Sequence, residues 1–368
     1  MKVAVPAEVR PGEKRVAATP DSVQRLTRAG LTVIVEAGAG RHAYVSDDEL
    51  RAAGAEVRAG DVLTGADAVL HVSPLTSDQA SRLRAGCVTV GFGNPSGNAE
   101  GITALARAGA SAFAVELLPR ISRAQSMDAL TSQALVAGYR AALVAAERLP
   151  AFLPLLMTAA GTVPPARVLV LGAGVAGLQA IATAKRLGAV VEAYDVREAS
   201  ADEVRSMGAT FVQLELETAE GEGGYAREMT ADRAARQREL LAPYVAKADA
   251  LITTAAIPGR PAPLLVERSA VEAMRPGSVV VDLAAETGGN VEGSRPGEEV
   301  VIGGVTVWGG QDVPSQMPFD ASRLYARNVA DLLQLMTADG EIAPDWDDEI
   351  VAAAWITRDG AVREGLPR

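Results

Sequence analysis

The sequence predicts an α/β protein made of two doubly wound parallel-sheet domains, joined by long helices that cross between them. Three observations carry this. Short apolar runs alternate with helical stretches along most of the chain, the pattern of parallel strands covered by helices. The alternation breaks once, at an Ala- and Leu-rich stretch over residues 126–149. It restarts at Arg167, and the first new strand runs into a glycine-rich turn that follows no earlier strand. We therefore expect a discontinuous first domain (residues 1–125 with 320–368), a linking helix at 126–139 and a second domain over 140–319.

In the first domain, residues 2–5 are an apolar strand. Thr19 and Pro20 then read as an N-cap followed by proline at the first helical position. Residues 31–36 form the next strand, and Ser46-Asp47-Asp48-Glu49 is a capping box that opens a helix. Strands at 66–72, 87–92 and 112–115 continue the series. After the long helix, Pro150, Pro154 and Gly161-Thr162-Val163-Pro164-Pro165 punctuate the chain. The second series places strands at 168–171, 190–194, 211–214, 250–253, 279–283 and 305–308. A helix around 321–336 is expected to return to the first domain. The polar, acidic tail 337–368 has one amphipathic piece, 349–355, and reads equally as a docking segment or a mobile end. Residues 215–230 are rich in Glu and Gly with little apolar periodicity, so they read as a lid over a site or as a solvated insertion.

Composition narrows the function. Of the 368 residues, 48% are hydrophobic, ample for two or three cores. The formal net charge of −11 argues against a general nucleic-acid binder, which must neutralise phosphates with Lys and Arg. It also leaves no polybasic patch for an anionic membrane surface. The single cysteine, Cys87, lies in an apolar run and reads as a buried structural residue. No cluster has metal-ligand spacing. The N-terminus reads as a strand rather than a signal peptide, and no window approaches the roughly 18 uninterrupted apolar residues of a membrane span. A cytoplasmic protein with no direct membrane insertion is expected.

The turn Gly172-Ala173-Gly174-Val175-Ala176-Gly177 makes the second domain a Rossmann dinucleotide-binding domain. The motif alone is weak, but here a strand precedes it, a helix follows, and a second strand ends in an acid at Asp195. Gly172 permits the tight turn, Gly174 lets backbone approach a pyrophosphate, and Gly177 lets the helix pack close to the strand. Val175 and Ala176 lie at the helix N-terminus, where the pyrophosphate rests. Asp195 is placed to accept hydrogen bonds from the adenosine ribose and would repel a 2′-phosphate, so NAD(H) is expected over NADP(H). Val196 belongs to the same strand end, and Arg197, two residues on, is the one feature that runs against this preference. Thr254 and Ala255 follow one later strand and Glu286 another, and these turns are expected to line the nicotinamide half.

The usual chemistry of a dehydrogenase is missing. Removing a hydride from an alcohol or amine also moves a proton, which needs an acid–base group near the substrate. The chain has only two histidines. His42 lies in a turn and His71 within a strand, and both read as surface or internally satisfied residues. One polar cluster stands out, Arg120-Ile121-Ser122-Arg123-Ala124-Gln125-Ser126-Met127-Asp128, expected to face an interdomain cleft. A helix cap with solvated arginines is the plainer reading of it.

At this point the residues resemble a known family. The opening Glu8-Val9-Arg10-Pro11-Gly12-Glu13-Lys14-Arg15-Val16-Ala17 is similar to the start of the alanine dehydrogenase and pyridine nucleotide transhydrogenase superfamily. The run Arg120 to Asp128, the run Met157 to Val168 and Gly224-Tyr225-Ala226-Arg227-Glu228-Met229 resemble the NAD(H)-binding peripheral component of the proton-translocating transhydrogenase. The resemblance covers about residues 1 to 336. It implies hydride transfer between NAD(H), bound here as substrate, and NADP(H) held by a partner component, coupled to proton movement by a membrane-spanning subunit. It implies a homodimer held peripherally at the inner face of the cell membrane through those partners. It implies that Arg120, Gln125 and Asp128 contact the nicotinamide end, with Gln125 reaching toward the partner's nucleotide, and that Tyr225 sits on a loop closing over NAD(H). A serine usually follows the Asp by three residues, and here Thr131 keeps the hydroxyl. The resemblance also explains the missing acid–base group, because direct transfer between two nicotinamide rings moves no proton at the reacting carbons.

Two other readings fit less well. An alanine dehydrogenase uses a substrate-binding lysine where this chain reads His71-Val72-Ser73-Pro74, and a catalytic histidine where it reads Val90-Gly91-Phe92-Gly93-Asn94-Pro95. Only its catalytic Asp has a counterpart, Glu286. The other is a non-catalytic NAD-binding protein, against which the intact 120–128 cluster argues.

Overall fold

A computed structural model describes residues 1–216, 230–257 and 260–366. The chain divides into two compact units, residues 1–133 with 314–368 and residues 134–313.

The first unit carries an eight-stranded sheet among its described residues. Its order from one edge is Glu56–Arg58, Thr32–Glu36, Lys2–Val5, Ala68–Leu70, Val88–Gly91, Ser111–Ala114, all parallel. This is the doubly wound order in which the first strand lies at the centre and the chain reverses direction beside it. Alternate residues feed cores on opposite faces: Val3, Val5, Val33 and Leu70 on one, Ala4, Ile34 and Val69 on the other. The helix Pro318–Leu335 closes the first of these cores with Tyr325, Val329, Leu332 and Leu333.

The tail is docked. Helix Glu349–Ala354 leads into strand Trp355–Arg358, which pairs antiparallel with Ser111–Ala114 and is followed by Ala361–Val362 at the sheet edge. Thr357 Oγ1 accepts from Ala112 N at 3.1 Å and donates to Ala110 O at 2.8 Å. Phe113 and Trp346 stack at 5.6 Å between centroids. These strands, and the edge strand Glu56–Arg58, give little sequence signal, since each is only two to four residues long, too short for an alternation to show.

The second unit holds a seven-stranded sheet, again counted on described residues. The order is Thr210–Phe211, Val190–Tyr194, Arg167–Leu171, Ala250–Thr253, Val279–Asp282, Val305–Gly309 and, antiparallel at the edge, Glu299–Ile302. Its cores also alternate by residue, with Val168, Val170 and Ile252 on one face and Leu169, Leu171 and Leu251 on the other. The chain reverses between Arg167–Leu171 and Ala250–Thr253, the position where such sheets bind ligands. A small hairpin, Leu156–Thr158 with Gly161–Val163, occupies the Pro- and Gly-rich stretch that follows the long helix.

The linking helix differs from expectation at its start. Residues Ser122–Met127 form a 3₁₀ segment, and the α-helix runs Ala129–Arg148. Asp128 is the reason: its Oδ1 accepts from Thr131 N at 2.8 Å and stops the helix from extending backwards. The division between units falls inside this helix. Among the described residues no helix is long and apolar enough to cross a membrane.

Candidate functional site

The strand Arg167–Leu171 delivers the glycine turn to the point of reversal. Gly172 adopts φ +98°, and a Cβ there would stand 2.7 Å from Thr254 Oγ1, whose hydroxyl donates to Gly172 O at 3.0 Å. A Cβ on Gly177 would lie 1.8 Å from Gly172 O, so only glycine lets the helix Val175–Arg186 start this close to the strand. A Cβ on Gly174 would meet nothing within 4 Å. Its missing side chain therefore makes room outside the protein, as close approach by a pyrophosphate requires. The first-turn N–H groups around Val175 and Ala176 lack helical acceptors and carry the positive end of the helix dipole. The residues present thus fit a dinucleotide.

Asp195 caps the next strand end. Its Oδ2 accepts from Ala173 N and from Arg197 Nη2, and its Oδ1 accepts from Arg197 N and Arg197 Nε, at 2.8 to 2.9 Å. The carboxylate in turn holds the Arg197 guanidinium above its ordinary pKa. Val196 turns inward against the core that contains Leu171 and Tyr194.

Two strand ends beside the turn are fastened together by a residue the sequence did not reveal. Asn290 is fully buried. Its Oδ1 accepts from Ala255 N at 3.0 Å, and its Nδ2 donates to Ala255 O and Pro263 O, both at 2.8 Å. Asn290 is itself set by Asp282, whose buried carboxylate accepts from Asn290 N and Ala284 N at 3.0 Å and from Thr253 Oγ1 at 3.0 Å. Burial raises the Asp282 pKa against these hydrogen bonds. The only trace of this in sequence was a polar Asp ending an apolar strand. Glu286 lies on the exposed turn after that strand, and its Oε2 accepts from Asp312 N at 3.1 Å.

The other expected site residues belong to the first unit, within residues 120–131. Arg120 and Gln125 are exposed. Both oxygens of Asp128 are taken by Thr131, Oδ1 by the backbone N–H and Oδ2 by the hydroxyl at 2.6 Å. Asn328 pins the segment by donating to Ser126 O at 2.7 Å, and Arg123 reaches Asp348 of the tail at 2.7 Å. The capping role and the exposed polar side chains coexist on one short segment.

A family model described as the alanine dehydrogenase/PNT N-terminal domain matches residues 4–137, and the corresponding C-terminal domain matches 141–365. The chain belongs to the alanine dehydrogenase/PNT family. It is 46% identical over 374 residues to an NAD(P) transhydrogenase subunit alpha polypeptide of Rhodospirillum rubrum, covering 98% of this chain and 97% of that one. It superposes on the crystal structure of a transhydrogenase from Sinorhizobium meliloti with a TM-score of 0.87 at 44% identity, covering 98% of each chain. Alanine dehydrogenase of Mycobacterium tuberculosis is 35% identical over 301 residues, covering 80% of this chain and 76% of that one.

His71 is buried, and its Nδ1 bonds Ser73 O at 2.8 Å, while burial pushes its pKa down to about 4. It is a neutral core histidine. His42 is exposed in the short turn Arg41–Ala43. Cys87 is buried, and desolvation pushes its thiol up to about 12, which makes it inert. A buried network at the centre of the sheet escaped sequence reasoning. Arg15 grips Glu13 with Nε to Oε1 at 2.8 Å and Nη2 to Oε2 at 2.7 Å, and reaches Gln133 at 2.9 Å. Ser315 donates to Glu13, and Glu8 accepts from Val72 N and Ser73 N. Tyr225 lies outside the described residues, as does most of the 215–230 segment.

Proposed function

We propose that this chain is the NAD(H)-binding catalytic subunit of a proton-translocating transhydrogenase. The turn 172–177 and Asp195 hold NADH, and a hydride passes directly to NADP⁺ on a partner component, with a membrane-spanning subunit coupling the exchange to proton movement. The observation that carries this reading is similarity to a transhydrogenase alpha subunit along 98% of the chain, joined to a complete dinucleotide turn in the second unit.

The chain's own residues then bind and orient. First-turn N–H groups near Val175 and Ala176 take the pyrophosphate, Asp195 takes the adenosine ribose, and Thr254, Ala255 and Glu286 line the nicotinamide half. Arg120, Gln125, Asp128 and Thr131 position the nicotinamide end, with Gln125 toward the partner's nucleotide. Positioning alone can supply much of the rate, because holding two reactants in a near-attack geometry removes much of the entropic barrier. A metal has no part in this scheme. Partner subunits hold the chain at the inner face of the membrane, and the chain itself forms a homodimer. In support of self-association, Phe152, Leu155 and Met157 are 59%, 53% and 78% exposed on and beside the hairpin.

Similarity to an alanine dehydrogenase favours a second reading, oxidation of an amino acid. Against it, the stretch His71-Val72-Ser73-Pro74 holds no lysine, the histidine position falls among Val90 to Pro95, and His71 is neutral and buried. The deciding experiment mixes the chain with the NADP(H)-binding and membrane components of a related transhydrogenase. It follows reduction of an NAD analogue by NADPH. Turnover that requires this chain supports the proposal, and none in a mixture active with the related alpha subunit refutes it.

A further inference from the structure

Gln125 sits on backbone that its own hydrogen bonds hold only loosely. Ser122–Met127 is six residues of 3₁₀ helix, a form whose hydrogen bonds are poorly aligned and which seldom runs beyond about four. Ala124 and Met127 are buried, and the exposed Gln125 lies between them. Two anchors from outside fix the segment. On one side, Asn328 Nδ2 donates to Ser126 O at 2.7 Å, while Asn328 Oδ1 accepts from Ser132 Oγ at 2.7 Å. On the other, Arg123 Nη1 donates to Asp348 Oδ2 at 2.7 Å, and Nη2 donates to Glu349 Oε1 at 3.4 Å. Asp348 is the stiff partner in this pair. Its Oδ1 caps the tail helix Glu349–Ala354, accepting from Ile350 N at 2.8 Å and Val351 N at 3.4 Å. That helix is itself fixed, because Ile350, Val351 and Ala354 are buried in the core and the next strand joins the sheet. The Asp348 side chain is 14% exposed, against 50% for Arg123. A half-exposed ion pair adds little to global stability. It does fix where the loosely held segment lies.

We propose that Arg123 and Asp348 are positioning residues for hydride transfer: through their ion pair, the docked tail holds the segment that carries Gln125 in its working place. This rests on reading Gln125 as a group that positions the nicotinamide end. It gives residues 337–368 a part in the reaction although none of them touches a nucleotide. The two effects of the pair differ greatly in size. Its share of stability is small because water screens it. Its share of rate is large, because a near-attack geometry holds the reacting atoms about 3–3.5 Å apart, and a misplacement of about 1 Å can cost on the order of a hundredfold.

The test follows reduction of an NAD analogue by NADPH in the mixture with the partner components. It compares wild type, Q125N, R123A, R123K, D348N and the double variant R123A/D348N, at saturating nucleotide and across a titration of the NADP(H)-binding component. D348N keeps an oxygen for the helix cap while removing the charge that Arg123 meets. NADH titration and a urea midpoint for each chain separate binding and folding from rate. The expected result is that R123A and D348N lose about fivefold or more in rate, with NADH affinity and urea midpoint near wild type. R123K, which keeps a cation for Asp348, recovers most of the rate, and the double variant is no slower than R123A. Near-wild-type rates for R123A and D348N, with Q125N slow, overturn the proposal alone. A loss that disappears at saturating partner also overturns it, because Arg123 would then serve docking. So does a loss that follows the urea midpoint, or a double variant whose losses simply multiply. A Q125N rate equal to wild type overturns the reading of Gln125 and this proposal with it.

Discussion

Asn290 grips Ala255 at both its backbone N–H and its carbonyl oxygen, a side chain pairing with a main chain as a neighbouring strand would. Ala255 follows Thr254, whose hydroxyl bonds the first glycine of the dinucleotide turn. The position of that turn therefore depends on a residue 118 positions along the chain from Gly172, counted as 290 − 172.

Asn290→Ala should remove three part-buried hydrogen bonds, those to Ala255 N, Ala255 O and Pro263 O. A hydrogen bond contributes about 0.5–1.5 kcal/mol net, so we expect a loss on the order of 2–3 kcal/mol in stability and weaker NADH binding. Chemical denaturation and NADH titration check this. A stability change below about 1 kcal/mol would show that the grip contributes little.

Gly177→Ala brings a methyl group into the Gly172 carbonyl, where an ideal Cβ sits only 1.8 Å away. Backbone cannot yield as a side chain can, so the turn must distort. NADH affinity is expected to fall by about tenfold or more. Calorimetry giving a dissociation constant near wild type would mean that the helix start shifts without cost.

Gln125→Asn shortens an exposed side chain on a segment otherwise held by Asn328 and by the Asp128–Thr131 cap. If Gln125 serves ring positioning, hydride transfer in the reconstituted mixture slows while NADH affinity stays put. Equal rates for variant and wild type would remove Gln125 from the reaction.

Pyruvate, ammonia and NADH should give no turnover with this chain alone, since the stretch His71-Val72-Ser73-Pro74 holds no lysine and His71 is neutral and buried. Spectrophotometric loss of NADH under those conditions would revive the amino-acid dehydrogenase reading.

Acid stability should depend on Glu13. Burial opposes its ionisation, but Arg15 and Ser315 outweigh that and hold it down to about 2, from 4.5. A depressed carboxylate stabilises the fold above the unfolded value, and the contribution disappears as pH falls from about 4.5 to about 2. Its size is on the order of 3 kcal/mol. Glu8 runs the other way: burial raises it to about 7, so its contribution is full below 4.5 and is lost as pH rises through about 7. Denaturation midpoints measured against pH should fall below pH 4.5 for wild type and fall less for Glu13→Gln. Parallel acid limbs for the two proteins would contradict this assignment.

Much was legible in the sequence where its physics is local. The dinucleotide turn, its helix and the acid at Asp195 lie within 24 residues, counted from 172 to 195, and Gly172 and Gly177 answer steric demands set by their neighbours. The capping box at Ser46 and Glu49 formed as expected, with Ser46 N donating to Glu49 Oε2 at 2.8 Å. The buried strands were visible as apolar runs, while edge strands such as Glu56–Arg58 were not, because one exposed side leaves no continuous apolar signal.

The two α/β units, the dinucleotide turn and the family resemblance follow from contiguous residues and their spacing. The docking of the tail, the grip of Asn290 on Ala255 and the meeting of Glu13 with Ser315 come from the folded chain alone. Those outcomes rest on hydrogen bonds and ion pairs. Glu13 meets Ser315 across 302 positions and Thr357 meets Ala112 across 245. A pattern read along the chain cannot register partners that folding alone brings within about 3 Å.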